Sequence, residues 1–250
     1  MTQKLSEDDR IFLSGFPKVR EPLPEAYNAI YSAEYFDNRE GLTFASRISS
    51  SLEAWMHKKV AGRAGRLAGG RLLELGAGTL NHVKYEDKEW QYDIVEPFSE
   101  LVHRSGISQK IHAHYGDINE IEGSGRYERV LSVAVLEHVL DLPKTIAKSA
   151  NLMVPNGLWQ AAIPSEGSLA WFLGWQLKGI PFRLRTGLDY GFLTRWEHVN
   201  SAREIERAVR IVFDEVVIER FPLPLFHGSF YTYIEAKSAN AEIVDAILQA

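Results

Sequence analysis

The run Leu72-Leu73-Glu74-Leu75-Gly76-Ala77-Gly78-Thr79-Leu80 places an acid near the end of an apolar stretch, then two glycines one residue apart. Glycines at that spacing let a backbone turn sharply and approach a ligand with no Cβ in the way. Single positions exclude two uses of such a loop. A dinucleotide fingerprint needs a third glycine where this chain has Asn81, and a P-loop needs a Gly-Lys-Ser/Thr that does not follow. Two acids stand downstream, Glu96 in Val95-Glu96-Pro97 and Asp117 in Gly116-Asp117-Ile118. A carboxylate at a strand end opposite the glycine loop can accept two hydrogen bonds from a ribose diol. Asp117 alone serves equally well as a cap on the turn that follows it. His138, directly after Glu137, has an imidazole whose ordinary pKa of about 6.5 suits a general base for a hydroxyl. The same two residues are also able to act as hydrogen-bonding parts of a loop. His198, after Trp196-Glu197, is a second candidate base.

These residues need strands and helices to hold them. Short apolar segments at 71–75, 92–96, 110–115, 127–133 and 157–163 read as strands, with helices expected over 97–105 and 140–152. Pro155-Asn156-Gly157 is the turn that opens the fifth strand. This βαβ rhythm predicts a parallel sheet with helices on both faces. Two β-rich segments, 215–221 and 230–236, bring the count to seven, and a short helix closes the chain. Ser201 and Glu204 form a capping box ahead of a helix to Val212.

The expected architecture is therefore α/β: a doubly wound, mostly parallel seven-stranded sheet with an N-terminal helical cap and an aromatic-rich insert after strand five. Residues 1–68 form the arm and cap helices, the latter separated at Gly41 and stopped at Gly69-Gly70. Residues 69–250 form the main domain, and 167–200 form the insert, with Trp171, Phe172, Trp175, Phe182, Tyr190, Phe192 and Trp196.

Composition narrows the classes. Hydrophobic residues make up 45% and charged residues 24%, the balance of a globular enzyme-sized chain. A net charge of −5 gives no footprint for a phosphate backbone, which disfavours nucleic acid as a partner. The absence of cysteine excludes disulfides, thiolate catalysis and thiolate-bound zinc. The N-terminus is too acidic and polar for a signal peptide, and no apolar run reaches the roughly 18–20 residues that span a bilayer. The expectation is a cytoplasmic protein.

From the glycine loop to residue 165 the sequence resembles the class I (Rossmann-like) S-adenosylmethionine-dependent methyltransferases, in particular the methyltransferase type 11 and ubiquinone-biosynthesis-like branch. Glu74, Gly76 and Gly78 match their acidic-x-Gly-x-Gly motif, with Leu80 where a further glycine often stands. Val135-Leu136-Glu137-His138-Val139 resembles their vLEHv segment, and Leu152-Met153-Val154-Pro155-Asn156-Gly157 their L-kPgG turn. The resemblance implies S-adenosyl-L-methionine as cofactor, with the loop Glu74, Gly76, Ala77, Gly78 around it. It implies Glu96 and Pro97 at the ribose, Asp117 and Ile118 at the adenine, and Val135 and Leu136 near the methionine end. Tyr27, Tyr31, Tyr35 and Arg47 precede the loop, and in such a family Arg47 or Tyr35 would close over the carboxylate of the methionine moiety, ordinary helix-surface placement being the other reading. Some relatives bind a divalent metal through an acid three positions before the Glu-His pair; Ala134 occupies that position here, so no metal is expected.

The missing Asp/Asn-Pro-Pro-Tyr/Phe tetrapeptide argues against amino-group methylation. The implied function is transfer of a methyl group to a small-molecule acceptor, a hydroxyl of a saccharide, quinone-like or phenolic compound. The alternatives are a tRNA or protein methyltransferase, or a silent cofactor-binding partner subunit. Arg183, Arg185, Lys178 and Arg195 among the insert's aromatics also suit peripheral contact with anionic headgroups. The acceptor and the oligomeric state are not written in the sequence.

Overall fold

The computed structural model describes residues 5–28, 30, 54–64, 67, 69–87 and 89–250. The expected helices between 31 and 53, with Tyr31, Tyr35 and Arg47, lie outside the described residues. Seven strands form one sheet: β1 (Gly70–Leu75), β2 (Trp90–Val95), β3 (Ala113–Tyr115), β4 (Tyr127–Val133), β5 (Met153–Pro164), β6 (Phe213–Pro222) and β7 (Ser229–Ala239). Their order is β3-β2-β1-β4-β5-β7-β6. β7 runs antiparallel to both neighbours, while the other pairings are parallel. The expected doubly wound, mostly parallel sheet is what forms.

Besides helical turns at 25–28, the described residues form the helices α1 (Glu7–Leu13), α2 (54–62), α3 (Ser99–Arg104), α4 (Leu142–Asn151), α5 (Leu169–Thr186), α6 (Tyr190–Glu197), α7 (Ala202–Val212) and α8 (Ala241–Gln249). Local chemistry sets their starts. Ser6, Ser168, Asp189, Ser201 and Asn240 each cap a first turn through the side chain, and both hydrogen bonds of the Ser201–Glu204 box are present. Gly187, at φ +74°, ends α5 in the left-handed conformation. The third strand is shorter than expected: residues 108–110 make a 3-10 turn before it. The fifth begins earlier, at Met153.

Apolar side chains alternate between two cores, as period-2 strands require. Leu73, Leu75, Val130 and Trp159 pack with α4, α7 and α8 on one face, and Leu72, Ile94 and Leu131 with Met56 and Val60 of α2 on the other. The second face also holds a buried polar network. Arg129 is fully buried, donating to both Glu86 oxygens at 2.8 Å, to Gln160 at 2.6 Å and to the Val60 carbonyl at 2.8 Å. Burial works against a charged Glu86, but His82 and Arg129 outweigh it and hold the carboxyl below its ordinary range. This pairing ties α2 to the sheet and leaves Arg129 no uncompensated charge.

The order around β1 places the switch in winding direction between β1 and β4. In open α/β sheets the crevice outside the strand ends at such a point is where ligands bind.

Candidate active site

At that crevice Gly76 follows β1 with φ +67°, and a Cβ there would lie 2.4 Å from Cγ2 of Val135, beyond β4. Only glycine fits, on both steric and backbone grounds. Gly78 (φ +53°) and Leu80 (φ +60°) continue the tight turn. Ala134, at φ +55°, is a non-glycine residue in the left-handed region directly after β4, with its N–H donating to the Ala162 carbonyl at 2.8 Å. Such strain recurs at functional sites and persists where surrounding structure over-determines it.

Glu96 stands just past β2 and is 5% exposed. Its two oxygens accept from the Gly78 N–H at 2.7 Å and the Phe98 N–H at 3.0 Å. The carboxylate is thereby fixed against the glycine loop, with lone pairs remaining for a diol. Pro97 beside it is exposed and Ile118 is buried. Asp117 is exposed at the end of β3 and accepts from the Asn119 N–H at 2.7 Å, so it also caps the 3-10 turn that follows.

Glu74 goes elsewhere. It shares the sheet face of Leu72 and accepts from the Tyr92 hydroxyl at 2.7 Å, fully inside the protein. Burial pushes its carboxyl up to about 7, with His82 and the Tyr92 hydrogen bond opposing. Ala77 and Leu136 are buried beside the loop. Of the expected cofactor residues, then, Gly76, Gly78, Glu96 and Val135 converge at the crevice, while the Glu74 carboxylate supports it from below.

The expected bases converge too. His138, in the 3-10 turn after β4, and His198, after α6, meet edge to face with ring centroids 4.8 Å apart. His138 Nδ1 lies 3.0 Å from the Glu197 carbonyl, and His198 Nδ1 lies 2.7 Å from Oε2 of Glu166. With an acceptor at each Nδ1, the neutral tautomer carries its proton there and leaves Nε2 as a base. Burial pulls His198 down, but the Glu166 hydrogen bond and the charges of Glu137, Glu166 and Glu197 raise its pKa overall. Glu137 is buried, its Oε2 has no hydrogen-bond partner among the described residues, and its carboxyl is pushed up to about 7 by burial, with His198 opposing. Glu137, His138 and His198 each offer a ligand atom within 4.8 Å of the others, so this geometry also suits a divalent cation.

Three participants escape sequence reasoning. Glu166 follows β5 at the carboxyl edge of the sheet, where ligand groups belong, and that position was its only signal. Asn200 donates through Nδ2 to the Leu136 carbonyl at 2.8 Å and the Val139 carbonyl at 2.6 Å, latching the β4 turn to the segment carrying His198. Arg20, in the N-terminal arm, donates to the carbonyls of His138 and Glu197, both at 3.0 Å. Beside the histidines a cleft of about 400 Å³ is lined by Glu166, Trp171, Phe172, Trp175, Thr194 and Arg195. Tyr27 borders the insert, its ring tilted against Phe192 with centroids 4.6 Å apart and its hydroxyl accepting from the Asp189 N–H.

Residues 45–208 match the family model of a methyltransferase domain. The chain belongs to that family. The methyltransferase fold recurs in solved structures. Phosphoethanolamine N-methyltransferase 2 of Haemonchus contortus, in complex with S-adenosyl-L-methionine, superimposes with a TM-score of 0.52 at 12% identity over 73% of this chain and 52% of that one. The chain thus spans about half the length of that protein. A 1,6-didemethyltoxoflavin-N1-methyltransferase of Burkholderia thailandensis gives 0.51 at 17% identity, over 88% and 93%. An S-adenosylmethionine-dependent methyltransferase of Thermotoga maritima gives 0.50 at 16%, over 76% and 96%. No curated protein sequence matches the chain. The residues present fit the cofactor of class I methyltransferases: a tight glycine turn after β1, and a buried acid, Glu96, fixed against that turn. Among the described residues no helix is long and apolar enough to cross a membrane.

Proposed function

We propose that this chain is a cytoplasmic methyltransferase that uses S-adenosyl-L-methionine to methylate a hydroxyl of a small molecule, with a saccharide, quinone-like or phenolic acceptor held in the insert cleft. The observation that carries the reading is the meeting of His138 and His198 at the end of β4, with Glu166 on His198 Nδ1.

When bound, S-adenosylmethionine supplies a methyl group made electrophilic by its sulfonium. Gly76 and Gly78 would shape the turn that holds it, Glu96 would accept from the ribose hydroxyls, and Asp117 and Ile118 would border the adenine. Trp171 and Trp175 provide apolar walls that orient a ring-shaped acceptor and exclude water. Most of the acceleration needed is of this positioning kind, where effective molarities are worth up to about 7–11 kcal/mol. The acceptor's proton goes to His198 Nε2; the Glu166 carboxylate orients that imidazole and stabilises the imidazolium. A general base so placed contributes about 10²–10⁴-fold.

The test is turnover of methyl-labelled cofactor with a panel of hydroxylated sugars, phenols and quinols. Silence across that panel with labelling of RNA or protein would reject the reading, and silence with every acceptor would favour a cofactor-binding partner subunit. A chelator arm separates the two uses of the histidine cluster. Activity that survives chelation supports proton transfer, whereas activity lost and restored by a divalent cation assigns Glu137, His138 and His198 to a metal.

A further inference from the structure

Helix α6 has little of its own to hold it in place. Its eight residues make a helix about 12 Å long, too short to be stable alone in water. Within it, Gly191, Leu193 and Thr194 are the buried residues. Yet α6 supplies Gly191, Thr194 and Arg195 to the wall of the insert cleft, and it ends at His198.

The N-terminal arm grips both ends of this helix. At its start, the Tyr27 hydroxyl accepts from the Asp189 N–H at 3.1 Å, and the Tyr27 ring rests on Phe192. At its end, a single nitrogen of Arg20, Nη2, donates to the carbonyls of both Glu197 and His138. The guanidinium lies over the Trp196 ring, and Trp196 Nε1 donates to the Glu21 carbonyl. Lys18 makes the same bridge. Its Nζ donates to the Val199 carbonyl and to Glu204, both at 2.6 Å, and its backbone N–H donates to the Leu140 carbonyl at 2.9 Å. Arg20 and Lys18 therefore each join the turn after β4, which carries His138, to the segment after α6, which begins with His198.

This stretch of the arm is bound by polar contacts and not by burial. Residues 17–28 are all exposed or half-buried, while upstream Phe12, Leu13 and Phe16 anchor the arm on the core. Its hydrogen bonds to the rest of the chain fall on residues 138–140 and 189–204, whereas the glycine loop and Glu96 are bonded to each other. We propose that residues 18–27 are a strap for the acceptor half of the site. Arg20 and Tyr27 are its positioning residues: they fix α6 at its two ends, and so set where the cleft wall and His198 stand. The cofactor half forms without them. That the cleft takes the methyl acceptor rests on the reading above; that the strap holds α6 does not.

Hydrogen exchange read by mass spectrometry on the full chain tests the strap without any turnover. In Arg20→Met with Tyr27→Phe, amides of 190–198 should exchange about tenfold faster, because local opening is governed by the contacts that hold a segment. Amides of α4 should exchange as in the parent, and S-adenosylhomocysteine should bind as in the parent by calorimetry. With an acceptor in hand, kcat should fall about tenfold or more and KM for the acceptor should rise, while KM for the cofactor stays. Unchanged exchange over 190–198 overturns the proposal. So does exchange that quickens equally in α4 with loss of S-adenosylhomocysteine binding, which marks general destabilisation. If no hydroxylated acceptor turns over, the acceptor reading fails and the exchange measurement still decides the strap.

Discussion

His198 Nδ1 lies 2.7 Å from Oε2 of Glu166, so the carboxylate after β5 determines which nitrogen of an imidazole after α6 carries its proton. Glu166→Gln keeps the shape and removes the charge. The raised pKa of His198 should then fall. A base must be deprotonated to act, so the acidic limb of kcat/KM should move to lower pH while the plateau drops by about 10–100-fold. Cofactor affinity should not change. A limb that stays in place would show that His198 is not the titrating base.

Gly76→Ala adds a methyl group 2.4 Å from Val135 Cγ2, at a φ of +67°. Cofactor affinity, read by calorimetry with S-adenosylhomocysteine, should fall by more than about tenfold, given roughly 1–3 kcal/mol of local strain. Val135→Ala in the same chain should recover part of the loss, because it relieves the clash and leaves the backbone strain. Full affinity in the single variant would place the ligand away from this loop.

Asn200→Ala removes two donors and leaves the carbonyls of Leu136 and Val139 without them. Unsatisfied buried groups cost about 1–3 kcal/mol each, so thermal unfolding should come several degrees earlier. The sharper expectation is kinetic: kcat should fall more than KM for the cofactor rises, because the latch holds His138 near His198. Equal effects on both would mean that the latch serves stability alone.

Glu74 is protonated in the folded state up to about pH 7, whereas an unfolded carboxyl loses its proton near 4.5. Between those values the folded protein binds more protons, so this group's contribution makes stability decline as pH rises through the window. Glu74→Gln keeps an acceptor for the Tyr92 hydroxyl and cannot ionise. It should match the parent at pH 5 and exceed it at pH 8 by on the order of 2 kcal/mol, measured by urea unfolding at both pH values. A variant less stable than the parent at pH 8 would show that the Glu74 charge is used.

The parts of the molecule legible in the sequence are those set by near neighbours. β4 forms over the expected residues 127–133 because an apolar run between turn signals has one good conformation. The capping box at Ser201 and Glu204 needs only four consecutive residues. Gly76 and Gly78 announce a turn wherever they lie, and the seven-strand count follows from counting such signals. Glu74 misled in its direction: its place in the motif suggests the ligand, but side chains alternate across a strand, and its turn in the alternation points to Tyr92.

By itself, then, the sequence determined the alternation of strands and helices, the glycine turn and the acid beyond β2, the parts from which the proposed cofactor half of the site is built. Only the tertiary structure decided that His138, His198, Glu137 and Glu166 share one cluster, that Asn200 and Arg20 hold it, and that Arg129 is paired under the sheet. These residues come from segments far apart in the chain. Their meeting depends on strand order and crossover direction, which are settled by burying both faces of the sheet at once, and no local pattern of residues encodes that.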